Sequence, residues 1–471
     1  MNVQVPKVQI PKVIDDQAVR DSYLTGVYER ATSETTAFEL PVTGQLPREL
    51  TGRYLRLGPN PTTPPDPATF HWWLGSGMMH GVHLSNGRAD WYRGRFLRTE
   101  ENAQALGLPP MPVPAGRTVN TANTGPIVFR GETFATQEAG AIPLRLSVEL
   151  DSLEGFDFGG TLTGAFSGHC KIDPRTGELI AVVYDVMAWI TQKRKPHLLV
   201  ISGDGKVTCE TPLDVEQATL MHDCWITENF AAVFDLPIRI APELAGTMPA
   251  PFSWDSSLPS RIGLIDRRDP AAPQRWFDVK PCAIFHTLNG YEKDGKVILE
   301  AFRFERLFDR DKLGFGESPA LLYRWTLDLA TGQCEEQLLD DGPGELCVMD
   351  LRRLGVDYRY GYWVGYSVGD QPGQERLAFS FDTVCKFDRE TGKVERAPAP
   401  AGTVYGELVF VPRSAESDED DGWLMGFRYR LDQGPTDLVI LSARDIAAEP
   451  VAVVHLPVRV PMGFHGWWAP E

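Results

Sequence analysis

Four histidines stand in separate local settings, GHCKID at His169, MHDCW at His222, FHTLN at His286 and GFHGWW at His465. Their successive intervals are 53, 64 and 179 residues, the last close to three times 60. A repeat unit of that size returns each imidazole to the same place, as expected of a radially repeated fold whose blades each present one strand end to a central axis. Neutral imidazole suits iron, copper, zinc and nickel, so four such ligands predict a metal without choosing it. A single buried histidine is more often a hydrogen-bonded core residue than a ligand, and it is the fourfold rhythm that raises the metal reading. His80 and His83 in MMHGVHL form the rival pair, but residues three apart on a strand point to opposite faces. His71, His197 and His455 show no comparable pattern.

Three glutamates occupy strand-like places of their own: Glu138 in FATQEAG, Glu345 in GPGELCVMD and Glu407 in VYGELVFVPR, the last two 62 residues apart. A carboxylate that accepts the distal N–H of a ligating imidazole fixes its tautomer and orientation. The glutamates are expected to serve the histidines in that way.

The elements that must position these side chains are strands. LSNGRADW, DPRTGEL, SGDGKVTCE, EKDGKVILE, DLATGQC and DRETGKV each set a turn glycine (Gly87, Gly177, Gly205, Gly295, Gly332, Gly392) between short apolar or alternating runs. Hairpins recurring over more than 400 residues exceed a sandwich and favour an all-β, seven-bladed β-propeller of about 67 residues per blade. We expect residues 1–20 to form an N-terminal extension and residues 21–471 a single propeller domain. The surplus length predicts a dome of loops over the channel mouth, drawn from 100–125, 236–260 and 306–319. The acidic run ESDEDDG, residues 416–422, reads as a solvated turn.

A net charge of −18 disfavours nucleic acid and anionic membranes as partners, and leaves at most weak peripheral membrane contact. MNVQVPKVQIPKVIDD lacks a continuous apolar core, and no stretch approaches a membrane span, which predicts a cytoplasmic protein. Seven scattered cysteines, never spaced C-x-x-C, predict reduced thiols rather than a disulfide framework.

GRYLRLGPNP, FHWWLGSGMMHG, WYRGRFLRTE, NTANTG, ATQEAG, GHCKIDPRTGEL, MHDCW, FHTLNGYE, GELVFVPRS and PMGFHGWW, in this order, resemble the carotenoid cleavage oxygenase family over residues 20–469. That family includes apocarotenoid oxygenases and lignostilbene dioxygenases. The resemblance implies a seven-bladed propeller with a loop and helical dome over a central metal site, and ferrous iron, Fe(2+), held there by His169, His222, His286 and His465, with Glu138, Glu345 and Glu407 hydrogen-bonded to the ligands. It places Thr124 with its methyl group beside a vacant iron position. The implied reaction inserts O2 across a conjugated C=C bond of an apolar carotenoid or apocarotenoid to give carbonyl products; the alternative is the same cleavage of a stilbenoid or phenylpropenoid. Isomerisation on the same scaffold and a non-catalytic binding propeller are the remoter readings. Lignostilbene-cleaving members carry Tyr and Lys where this chain has Phe96 and Gln137, so a charged handle for a phenolate is missing, though Gln137 can still donate a hydrogen bond. Ser76 and the segment ELCVM, residues 345–349, are further departures. Blade packing is nearly as good an account of Phe96 and Gln137 as substrate contact, and Trp72, Trp73, Trp467 and Trp468 are equally compatible with core filling.

Overall fold

Runs rich in β-branched and aromatic residues, bounded by turn formers, become strands: LIAVV is Leu179–Val183, FAAVFD is Phe230–Asp235 and DLVILS is Asp437–Ser442. In this computed structural model the described residues are 23–471 apart from 68–69, 110, 192, 242–251, 312–316 and 367–380. The expected extension 1–20 lies outside them, as do parts of all three expected dome loops.

Among the described residues the strands pair into eight antiparallel sheets, seven of them arranged as the blades of a seven-bladed β-propeller. The second to sixth blades are four-stranded, with innermost strands Pro126–Phe129, Lys171–Ile172, Trp225–Ile226, Ala283–Lys293 and Gly344–Met349. In the seventh, Thr403–Tyr405 and Val409–Pro412 share that inner place. The ring closes twice. The C-terminal strand Gly466–Pro470 pairs with Gly52–Pro59 as the innermost strand of the first blade, with Arg56 opposite Gly466. The N-terminal strand Val42–Gly44 pairs with Ala452–His455 at the outer edge of the seventh. Each closure makes one blade from both ends of the chain.

Apolar side chains fill the wedges between neighbouring blades. Trp225, Phe234 and Trp325 pack together between the fourth and fifth blades, and Tyr362, Phe410 and Leu424 between the sixth and seventh.

The two ends of the ring differ. At one end the strands are joined by tight turns, and all six turn glycines identified in the sequence have positive φ. In DPRTG, Gly177 at φ 68° donates its N–H to the Asp173 carbonyl at 2.8 Å, a geometry that a side chain at this position would strain. The longest connections leave from the other end, although residues 350–359 and 413–421 make longer loops at the turn end. They carry the 3-10 turn Trp72–Leu74, the helices Glu100–Leu106 and Val186–Ile190, and the two-stranded sheet of Ile238–Ile240 with Phe252–Trp254. Thr99 and Asp185 cap the two helices by accepting from Asn102 N–H and Ala188 N–H.

The acidic run is not the simple solvated turn expected of it. Asp420 pairs with Lys386 at 2.9 Å and Asp421 with Arg413 at 3.0 Å. Glu419 accepts backbone N–H groups of Arg359 and Tyr360, at 2.6 and 2.7 Å. The run staples the sixth blade to the seventh. Among the described residues no helix is long and apolar enough to cross a membrane.

Candidate metal centre and cavity

Each blade contributes one residue from its inner strand, or from the three residues before it, to a ring at the dome end of the channel. The sequence along the ring is His465, Thr124, His169, His222, His286, Glu345 and Glu407 for the first to seventh blades. This explains the long third interval between histidines: from His286 to His465 the chain passes through two blades that present glutamate instead.

Local irregularities aim several of these side chains. Ile284 pairs with Arg303 and Thr287 with Ala301, so an extra residue at Phe285–His286 bulges the strand. A second bulge follows Glu345, whose strand shifts register before Val348, with Leu346 at φ 55°. A third lies at Glu407, between the pairs Tyr405 with Arg428 and Val409 with Met425. Bulges are concentrated where a side chain has to be re-aimed.

The ligand nitrogens of His169, His222, His286 and His465 all lie within 4.8 Å of one another. Their rings meet edge-on or tilted, His169 standing 4.3 Å from His222 and 4.5 Å from His465 between centroids. Behind them, Glu138 Oε1 lies 2.7 Å from His222 Nδ1, Glu345 Oε2 2.5 Å from His286 Nδ1, and Glu407 Oε1 2.9 Å from His465 Nδ1. The expected pairing of three glutamates with three histidines is therefore present in the geometry, and His169 has no carboxylate of its own.

These contacts fix the tautomers. A carboxylate only accepts, so Nδ1 of each paired ring carries the proton and Nε2 keeps its lone pair. The Nε2 atoms of His222 and His286 then face each other across 3.3 Å with two lone pairs, and His169 Nε2 is buried with no hydrogen-bond partner. Lone pairs converging in this way repel unless a cation sits among them. The donor set fits a metal ion. Burial, and then the neighbouring imidazoles, hold His169 well below its ordinary pKa, in the neutral form that a ligand requires. Burial likewise lowers His465, whereas at His286 burial is outweighed by the carboxylates of Glu345, Asp223 and Glu407 together, which raise it.

The carboxylates are themselves held. Tyr184 donates its hydroxyl to Glu138 Oε1. Glu407 Oε2 accepts Gly466 N–H at 2.5 Å and lies 3.8 Å from the guanidinium of Arg56, which is fully buried. Burial would raise the Glu407 carboxyl, but His465 and Arg56 outweigh it and keep it below the usual range. Neither Tyr184 nor Arg56 was found from the sequence; the signal available for Arg56 is only a charged residue inside the apolar strand GRYLRLGP.

The other histidines have structural partners. His80 Nδ1 is 2.9 Å from the Tyr92 hydroxyl, and His83 lies between Asp90 and Glu471. His71 Nδ1 accepts Trp73 N–H, His455 meets Asp437 and Thr43, and His197 lies 3.7 Å from Glu210.

The ring opens into a cavity of about 390 Å³ beneath the dome. Its walls include Trp72, Trp73, Phe252, Phe285 and Phe464, with Trp72 and Phe464 4.5 Å apart between ring centroids. Trp72 and Trp73 thus line the cavity as well as packing, whereas Trp467 and Trp468 do not. Gln137 also lines it, with Oε1 accepting Ala122 N–H at 3.0 Å. Phe96 does not: it is buried in the first blade opposite Met78. Thr124 faces the cavity, its Oγ1 accepting Glu138 N–H at 3.3 Å. A methyl added at Gly168 would stand 2.8 Å from Thr124 Cγ2, so the glycine makes room beside His169. Ser76, another departure noted in the sequence, donates to Glu101 in the dome helix.

Comparison with known proteins agrees with this architecture. A family model described as retinal pigment epithelial membrane protein matches residues 28–470. The carotenoid cleavage oxygenase of Mycobacterium tuberculosis is 36% identical, over 96% of this chain and 98% of its own length. Among solved structures, the lignostilbene dioxygenase of Pseudomonas brassicacearum superposes with a TM-score of 0.83 at 27% identity, over 96% of this chain and 98% of that one. The cobalt-substituted apocarotenoid oxygenase of Synechocystis gives 0.82 at 25% identity, over 96% and 99%. A family match over nearly the whole chain, together with this degree of identity, shows that the protein belongs to the carotenoid cleavage oxygenase family.

Proposed function

We propose that the protein is a ferrous-iron dioxygenase that cleaves a conjugated C=C bond of an apocarotenoid-type substrate to two carbonyl products. The observation that carries this reading is the convergence of four imidazole lone pairs at one end of an apolar cavity. His169, His222, His286 and His465 would hold the iron, which when bound activates dioxygen towards an electron-rich alkene. The balance is complete without a reductant: one O2 and one C=C give two C=O, the alkene supplying all four electrons.

The chain's own residues position the reactants and exclude water. Glu138, Glu345 and Glu407 keep three rings in one tautomer and orientation. Trp72, Trp73, Phe285 and Phe464 offer flat apolar surface to a polyene. Thr124 turns its hydroxyl oxygen to the backbone, leaving its methyl to crowd the space beside the ring. The described lining includes no lysine or arginine, and its two carboxylates are engaged with histidines. Nothing there would hold a phenolate by charge. Gln137, its carbonyl oxygen already engaged, has its amide N–H groups left to donate to a hydroxyl or carbonyl oxygen of the substrate. We read the substrate as one taken up from solution by a cytoplasmic protein.

The likeness to lignostilbene dioxygenase supports a second reading, cleavage of a stilbenoid or phenylpropenoid. Oxygen uptake by iron-reconstituted protein, without reductant, decides between them. The expected result is one O2 consumed per apocarotenal bond cleaved. Uptake on a hydroxystilbene alone selects the second reading, and no uptake on either sinks the oxygenase function.

A further inference from the structure

Two of the ligand-bearing segments have little secondary structure to hold them. The inner strands after His169 and His222 are Lys171–Ile172 and Trp225–Ile226, two residues each. His169 also lacks the carboxylate that orients each of the other three rings. Between these segments lies Asp223, a carboxylate outside the cavity wall whose side chain is 2% exposed.

Asp223 is surrounded by donors from three blades. Lys171 Nζ lies 3.0 Å from both of its oxygens. Its Oδ2 accepts Thr287 N–H at 2.9 Å and lies 2.7 Å from Thr287 Oγ1, and its Oδ1 accepts Cys224 N–H at 2.8 Å. The sequence positions are suggestive in themselves: Lys171 is two residues after His169, Asp223 directly follows His222 and Thr287 directly follows His286. One carboxylate thus ties together the backbones next to three of the four imidazoles.

Burying such a pair is poor value for stability alone, because desolvation cancels most of the attraction, and well-packed apolar replacements are often as stable. Its use is geometric. We propose that Asp223 is a positioning residue which, through Lys171 and Thr287, sets the spacing of His169, His222 and His286 for the metal. Lys171 thereby does for the His169 segment what a glutamate does for each of the other rings. This rests on the metal-centre reading given above.

The test is cobalt(II) titration of metal-free protein, read by visible absorption and by competition with a chelator. The variants are Lys171→Met/Asp223→Asn, which removes both charges at nearly constant shape, and Thr287→Val, which removes one donor. With the melting temperature of the metal-free protein unchanged, the double variant is expected to bind cobalt about 10–100-fold more weakly and with altered ligand-field bands. Thr287→Val is expected to weaken binding severalfold, and it carries the test by itself if the double variant does not fold. Wild-type affinity and spectrum in the folded variants would overturn the positioning role. Failure of the wild type itself to bind cobalt, or full binding by His222→Ala, would instead overturn the metal centre, and the proposal would fall with it.

Discussion

The two ends of the propeller channel are built from the same strands and obey opposite rules. At the dome end the ladders are broken by bulges at His286, Glu345 and Glu407, and lone pairs face one another across 3.3 Å. Bulges occur at the far end too, beside Leu84, Leu146 and Ile201, but there neighbouring blades are stitched by satisfied pairs. Arg267 Nη2 lies 2.7 Å from Asp173, Glu292 accepts from Thr227 Oγ1 at 2.6 Å, and Asn289 donates to the Val356 carbonyl at 3.0 Å. Arg352 reaches the Ser414 carbonyl at 2.8 Å. The far end fixes the relative positions of the blades, which allows the dome end to hold an arrangement that is unfavourable until a cation enters it.

If this division holds, substitutions at the two ends should separate chemistry from stability. His222→Ala should show the largest effect: metal content by elemental analysis falls to near zero and turnover drops more than about 100-fold, beyond the range for a residue that only supports a ligand. Unfolding of the metal-free protein should barely change. Glu345→Gln and Glu407→Gln should each lower metal affinity or turnover about 10–100-fold with the fold intact. The two should differ in denaturant melts, because only Glu407→Gln strands the buried guanidinium of Arg56.

Asp173→Asn probes the far end. It removes a buried partner of Arg175 and Arg267, and should cost about 3 kcal/mol in denaturant melts while metal content per folded molecule stays at the wild-type level. Its pH dependence follows from the same contacts. Burial would raise the Asp173 carboxyl, but Arg175 and Arg267 outweigh it and hold the pKa at about 2. Its contribution is fully present above the unfolded carboxyl pKa of about 3.9 and is lost as pH falls through about 2. Wild type and Asp173→Asn should therefore converge in stability on acidification across that window. The smallest effect is expected for Gly392→Ala, where φ is 69°: about 1 kcal/mol of stability, with no change in metal content or turnover.

Much of the dome end was legible because it is written once per blade. The interval from His286 to His465 covers three blades, and the strand-like settings of Glu345 and Glu407 are the two intervening inner strands. Glu138 breaks this rule. It follows the second strand of its blade, Glu132–Ala135, and the inner-strand place belongs to Thr124, which only the family resemblance singled out. Contacts made by long side chains across blades leave no such rhythm. Arg56 meets Glu407 from 351 positions away, and the acidic run looked solvated because Lys386 and Arg359 come from another blade. Phe96 and Gln137 were read together from the same comparison, yet a strand buried in the first blade removes Phe96 from the cavity while Gln137 remains in its wall.

The most direct test of the central claim is anomalous scattering at the iron edge from crystals of protein purified and reconstituted with ferrous iron under anaerobic conditions. The account predicts a single peak at bonding distance from the Nε2 atoms of His169, His222, His286 and His465. A peak elsewhere, or none at that ring in protein that cleaves its substrate, would contradict it.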